Sequence, residues 1–153
     1  MDVISYVEFN TLKLHALLPL VNSCRVREHL VEHALFDANS LKAWIAVKLE
    51  ADAMPGCKVR AVLYNNRLAG WCGIQLDGER YEIAIVIDSK FWGLGKRVFG
   101  ELMQWAKAFG HKQVYIHLLH TRRDYKFLYK IASNVYTSEL LGNKFTTYEL
   151  RVN

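Results

Sequence analysis

The run Ile83-Ala84-Ile85-Val86-Ile87 constrains this chain more than any other feature. A strand that is apolar at consecutive positions is buried on both faces, which places it in the centre of a sheet. Asp88-Ser89-Lys90-Phe91-Trp92-Gly93-Leu94-Gly95 follows it directly. Next comes a segment with Val98, Phe99, Leu102, Met103, Ala106 and Phe109 on one stripe and Gly110 placed to end it. That spacing predicts an amphipathic helix with a glycine stop. A central strand therefore passes through a short glycine loop into a helix.

The rest of the chain predicts elements on either side of this unit. Val3–Phe9 reads as a strand, and Thr11–Asn22 and Arg25–Phe36 as short helices. Ser40 is placed as the N-cap of a third helix carrying Leu41, Trp44, Ile45 and Leu49, which stops before Met54-Pro55-Gly56. Lys58–Tyr64 and Arg67–Leu76 form a hairpin about Asn65-Asn66. Asp77-Gly78 is a second turn, leading into Arg80–Asp88. Val114–Leu119 is a further strand. Thr121 and Asp124 open a helix to about Ala132, with Tyr125, Leu128, Tyr129 and Ala132 on its stripe. Tyr136–Leu141 and Phe145–Val152 close the chain about Gly142-Asn143. Strands joined first by hairpins and later by helices predict an α/β (α+β) architecture. Its central sheet is mixed and flanked by helices. A length of 153 residues suits one domain over 1–153, and a 52% hydrophobic share excludes a disordered chain.

The apolar run around Leu14–Val21 is interrupted by His15 and Pro19, so no membrane span is expected. The N-terminus lacks the basic region of a secretory signal, and a cytoplasmic location is the expectation. Cys24, Cys57 and Cys72 form no close pair and are read as core or partly buried thiols. Twenty Lys and Arg against fifteen Asp and Glu give a formal charge of +5, which leans toward an anionic partner.

The glycine loop supplies a place for that anion. The first N–H groups of a helix have no intrahelical acceptor, and the helix dipole adds partial positive charge there. Lys90, Lys96 and Arg97 add full charges, so the loop reads as a phosphate or pyrophosphate site. A P-loop is excluded, because Lys90 stands at its first glycine and Arg97 at its Ser or Thr. A dinucleotide fingerprint is disfavoured by Val98 at its third glycine. Two other motifs have simpler readings. His29-Leu30-Val31-Glu32-His33 spells H-x-x-E-H, but no third ligand accompanies it, so a solvated helix face is expected there and no metal. Arg122, Arg123, Lys126 and Lys130, interleaved with Tyr125, Phe127 and Tyr129, read as a solvated face beside an anionic cofactor.

The strand, the loop and the helix resemble the acyl-CoA site of the GNAT superfamily of N-acetyltransferases. The family pattern is Arg/Gln-x-x-Gly-x-Gly/Ala opening a helix. Lys90 falls at the first place, with Gly93 and Gly95 at the small ones. A second register, led by Trp92, would put Gly95 and Arg97 there. Phe127-Leu128-Tyr129-Lys130 resembles the family's Leu-Tyr segment. Arg122 and Ser133-Asn134 depart from its usual flanking residues.

The resemblance implies a mostly antiparallel sheet and acetyl-CoA as acyl donor, with direct transfer to a primary amine. The Ile85, Val86 and Ile87 backbone would hold the pantetheine arm in the manner of an added strand. Lys90, Trp92, Gly93, Leu94, Gly95, Lys96 and Arg97 would hold the pyrophosphate. Tyr129 is the candidate general acid. Glu82, on the Ala84 and Val86 side of the strand, is the candidate base, with His117 and His120 as rivals. The acceptor is left open between a small molecule, a protein amine and a charged RNA. Exposed sheet edges leave room for a homodimer. The alternative is a catalytically inactive module of the same fold that binds nucleic acid or a protein.

Overall fold

The computed structural model describes residues 3–22, 35–91, 93–119, 126–140 and 142–152. Strand β1 (Ile4–Val7) leads through a 3₁₀ turn at Phe9–Thr11 into α1 (Leu14–Val21). Helix α2 (Ala38–Ala53) precedes β2 (Lys58–Tyr64), β3 (Arg67–Asp77) and β4 (Arg80–Ile87). Then come α3 (Gly95–Phe109), β5 (Gln113–Leu119), α4 (Lys126–Ile131), β6 (Ala132–Leu140) and β7 (Asn143–Arg151). The described strands form one seven-stranded sheet in the order β1-β2-β3-β4-β5-β7-β6. Every neighbouring pair is antiparallel except β4 and β5. The fold is therefore the mixed sheet flanked by helices that the element order predicts, mostly antiparallel as the family resemblance implies.

The apolar run of β4 lies at the middle of this sheet, and its two side-chain sets enter two cores. Ile83, Ile85 and Ile87 pack with Val98, Leu102, Trp105 and Ile116 beneath α3. Ala84 and Val86 pack with Phe9, Leu17, Leu41 and Trp71 beneath α1 and α2. The period of two in a strand thus serves both faces with one run. Asp52, near the end of α2, joins that helix to β2. It accepts from the Val59 N–H at 2.8 Å and forms an ion pair with Arg60. Among the described residues no helix is long and apolar enough to cross a membrane.

Several boundaries differ from the sequence reading. The N-cap of α2 is Asp37, not Ser40. Asp37 accepts from the Ser40 N–H at 2.7 Å, and the Ser40 hydroxyl accepts from the Asp37 N–H at 2.9 Å, a reciprocal capping box with serine at its third helical position. The second hairpin turn is Gly78-Glu79, because Asp77 pairs with Arg80 and only Gly78 takes positive φ, at +64°. On α3, Trp105 is buried where Phe109 was expected; Phe109 lies in the last turn and is exposed. Ala132 opens β6 instead of ending a helix. Most of the Arg25–Phe36 helix, together with Cys24, His29, Glu32 and His33, lies outside the described residues, as do Thr121, Asp124 and Tyr125. Cys57 and Cys72 are buried thiols, as expected.

Gly70 of β3 faces Ile87, and a Cβ there would lie 2.0 Å from the Val86 carbonyl oxygen. Gly70→Ala is expected to cost about 2 kcal/mol or more in urea unfolding, through a backbone clash that flexible side chains cannot absorb. Gly100→Ala, with open space in the middle of α3, is expected to be neutral or stabilising by up to about 1 kcal/mol. Equal midpoints for the two variants would contradict the β3–β4 packing.

Candidate active site

Strands β4 and β5 pair only at Glu82 with Tyr115 and Ile83 with Ile116. A continued register would pair Ala84 with His117 and Ile85 with Leu118, and it stops short of both. Strand β4 nevertheless stays paired with β3 up to Ile87, and the Asp88 N–H donates to the Ala69 carbonyl at 2.8 Å. In an antiparallel ladder hydrogen-bonded pairs alternate with non-bonded ones. Ala84 and Val86 therefore direct their N–H and C=O groups at β3. Those of Ile85 and Ile87 point the other way, into the opening between β4 and β5. Buried backbone groups of this kind require partners.

Helix α3 begins at the wide end of this opening. The Leu94 N–H donates to the Phe91 carbonyl at 3.2 Å, and the first regular helical bond is Val98 N–H to the Leu94 carbonyl at 2.9 Å. Leu94 supplies no side-chain cap. The N–H groups of Gly95, Lys96 and Arg97 thus face outward at the positive end of the helix dipole. Gly93 has φ +105°, a conformation that favours glycine, and a Cβ added at Gly93 or Gly95 would meet nothing within 4 Å. Lys96 and Arg97 are exposed beside this concavity. Lys90 is also exposed, and its N–H donates to Asp88 Oδ1 at 3.2 Å, so its backbone serves the turn. Trp92 lies outside the described residues.

A polar cluster occupies the α2 face of the sheet below the opening. Glu82 stands opposite Gln75 of β3, and Gln75 Oε1 accepts from Lys48 Nζ at 2.7 Å. The Lys48 ammonium also lies 4.5 Å from the Trp71 ring centre. Burial lowers the Lys48 pKa, with Glu82 opposing. Burial pushes the Glu82 carboxyl up to about 7, the Asp77 carboxylate adds to the rise, and Lys48 opposes it. Ligating atoms of Asp77, Glu82 and His117 all lie within 4.8 Å of one another. Burial holds the His117 imidazole below its usual value, and Asp77 opposes this. His117 Nδ1 lies 2.7 Å from Thr147 Oγ1, which is 3.2 Å from Ser138 Oγ.

Tyr129 lies apart from this cluster, on α4. Its ring meets Tyr148 edge-on at 5.3 Å, and the residue is 47% exposed. Lys126 and Lys130 are exposed on the same helix, and Lys96 Nζ sits 5.6 Å from the Phe127 ring centre. His120, Arg122 and Arg123 lie outside the described residues. The cluster brings Glu82 together with His117. Sequence reasoning missed Lys48, Asp77, Thr147 and Ser138 as its neighbours. The one local signal was Lys48 four residues after Trp44, where a helix stacks both on one face.

Glu82 makes the fold pH-dependent in a defined direction. An unfolded chain ionises this carboxyl near 4.5, whereas the folded protein holds its proton to about 7. The folded state thus binds more protons between these values, and this group's contribution to stability falls as pH rises through that window. Glu82→Gln is expected to gain stability over the parent protein by roughly 1–3 kcal/mol above pH 7, with the gain vanishing toward pH 4. A pH-independent difference in urea midpoints would refute the assignment.

Known proteins share this fold. A sequence model of the Acetyltransferase (GNAT) family matches residues 16–131. An N-acetyltransferase from Staphylococcus aureus Mu50 superposes with a TM-score of 0.72 at 14% identity, over 100% of this chain and 99% of that one. A spermidine N-acetyltransferase from Vibrio cholerae, in complex with CoA and spermine, gives 0.74 at 11% identity over 99% and 95%. An acetyltransferase from Salmonella typhimurium that modifies the N-terminal serine of a 50S ribosomal protein gives 0.74 at 12% over 99% and 95%. No curated protein sequence matches the chain. The family match covers most of the sequence, and the likeness in fold runs from end to end. The chain belongs to the acetyltransferase (GNAT) family.

Proposed function

We propose that this protein transfers the acetyl group of acetyl-CoA to a primary amine by direct attack, in the cytoplasm. The observation that carries the reading is the interrupted β4–β5 ladder with the open, glycine-lined N-terminus of α3 at its wide end. An extended amide-bearing arm can complete the ladder at Ile85 and Ile87, as an added strand would. A pyrophosphate suits the N–H groups of Gly95, Lys96 and Arg97 and the charges of Lys96, Arg97 and Lys90. Gly93 and Gly95 leave the space that its close approach needs. CoA and spermine occupy the Vibrio cholerae relative, an instance of both ligand classes on this fold.

Acetyl-CoA supplies the activated thioester, and the chain's residues manage the protons. An amine is mostly protonated at neutral pH, so a base must free its lone pair. Glu82 is that base, directly or through water. A carboxyl raised to about 7 is half ionised near neutrality and accepts a proton readily. Tyr129 gives its hydroxyl proton to the departing sulfur and regains one from solvent, for which its exposure is suited. Tyr148 fixes the ring of Tyr129 from the side.

Calorimetry with acetyl-CoA, followed by acetyl-transfer assays on a panel of amines, tests the reading. Saturable binding is expected for the parent protein. Gly95→Glu is expected to lose it about 100-fold or more while remaining folded, since a carboxylate would occupy the anion's place. Tyr129→Phe is expected to keep its affinity and lose roughly tenfold or more in kcat. Absence of acetyl-CoA binding would overturn the proposal, and unchanged turnover in Tyr129→Phe would remove that residue from the chemistry.

A further inference from the structure

We infer that Asp77, Glu82 and His117 form a site for one zinc ion, and that zinc and the substrate amine compete for the Glu82 carboxylate. The first half stands on geometry alone. The second rests on the acetyltransferase reading above.

The sheet register brings the three ligands together. Gln75 and Glu82 are cross-strand partners, so Asp77, two residues beyond Gln75, lies on the same face. Glu82 pairs with Tyr115 on the parallel side, and His117 is the next residue of β5 on that face. Their ligating atoms already lie within 4.8 Å of one another. A tetrahedral ion with bonds of about 2.0–2.1 Å holds its ligands about 3.4 Å apart, so rotation of the two carboxylates on their short stems closes the site. The fourth position is left to water.

His117 is oriented for the purpose. Its Nδ1 is engaged by Thr147 Oγ1 at 2.7 Å, and among the described residues nothing bonds its Nε2. Thr147 is fully buried and is held in turn by Ser138 at 3.2 Å. A second-sphere hydroxyl that fixes one ring nitrogen and leaves the other for the metal is the usual support of a histidine ligand. Asp77 is exposed at the end of β3 and provides the entry path.

Charge and donor type select the ion. The charged groups facing the cluster from neighbouring elements are Lys48 of α2 and Arg80 of β4. The first is bonded to Gln75 and lies over Trp71; the second is bonded to the Tyr136 hydroxyl at 2.6 Å and lies over the Tyr115 ring. Two carboxylates and one neutral imidazole then present two negative charges to an ion. One nitrogen and two oxygen donors suit zinc better than magnesium or calcium, which prefer oxygen alone. Zinc on Glu82 would occupy the lone pairs that otherwise receive the amine's proton, so the bound ion inhibits.

The test uses the full chain, stripped of metal by chelation and titrated with zinc chloride by calorimetry in the absence of any CoA. One ion per chain is expected. His117→Gln and Asp77→Asn are each expected to weaken binding about tenfold or more. Asp77 is exposed, so its variant remains informative should the first misfold. His33→Ala is expected to bind zinc as the parent does. No saturable binding, or affinity unchanged in Asp77→Asn and His117→Gln, or loss in His33→Ala instead, would each overturn the site. Inhibition of acetyl transfer by zinc in the parent chain, relieved by chelation, tests the competition separately. A chain that binds zinc but not acetyl-CoA would keep the ion site and lose only the competition.

Discussion

Everything distinctive in this molecule depends on where the β4–β5 ladder stops. Strands β1 to β4 form one antiparallel block, and β5, β7 and β6 form another. Two residue pairs join the blocks. Beyond them the strands diverge, although each keeps its register with its outer neighbour. Side chains of α3, chiefly Val98, Leu102 and Trp105, pack with residues of both blocks in one core. That packing holds the opening in place, since opening a ladder without ligand leaves backbone groups unsatisfied and needs compensation elsewhere. The end of the helix that braces the opening is also the end that presents free N–H donors to it. A single element thus secures the gap and presents its uncapped N–H groups to it.

The polar cluster follows from the same register. Glu82 sits at the first of the two paired rungs, one residue before the ladder stops, on the face that Ala84 and Val86 share with α2. It lies beside the opening and is buried enough to retain a proton to about 7. Its surroundings oppose full ionisation from one side, through burial and Asp77, and favour it from the other, through Lys48. A group balanced in this way answers to whatever cation arrives, whether a proton, an ammonium or a metal.

The parts of this account legible in the sequence were those governed by local periodicity and backbone chemistry. The apolar run of β4 announced a central strand, and Gly93 and Gly95 announced the turn that opens α3. Glu82 could be assigned to the Ala84 and Val86 face by counting in twos. Trp105 was missed because it lies at the edge of the apolar stripe of α3, and Phe109 was misjudged because, although on the stripe, it sits in the last turn, where the helix ending at Gly110 leaves it exposed beside the His111 ring. The hairpin turn slid by one residue because Asp77 and Gly78 both tolerate turn conformations, and only the pairing of Asp77 with Arg80 decides. The end of the parallel ladder was invisible, since periodicity reports faces and not partners. The cluster about Glu82 was equally hidden, because Lys48, Asp77, His117 and Thr147 come from four separate elements and only the sheet register assembles them.

The central claim is that Ile85 and Ile87 offer their backbone to acetyl-CoA. Amide hydrogen exchange resolved at single residues, with and without saturating acetyl-CoA, tests it directly. Ala84 and Val86, bonded to β3, are expected to exchange slowly in both conditions. Ile85 and Ile87 are expected to exchange faster in the free protein and to slow markedly when acetyl-CoA is added. Rates at Ile85 and Ile87 that match those of Ala84 and Val86 without ligand, or that do not change when it binds, would contradict the account.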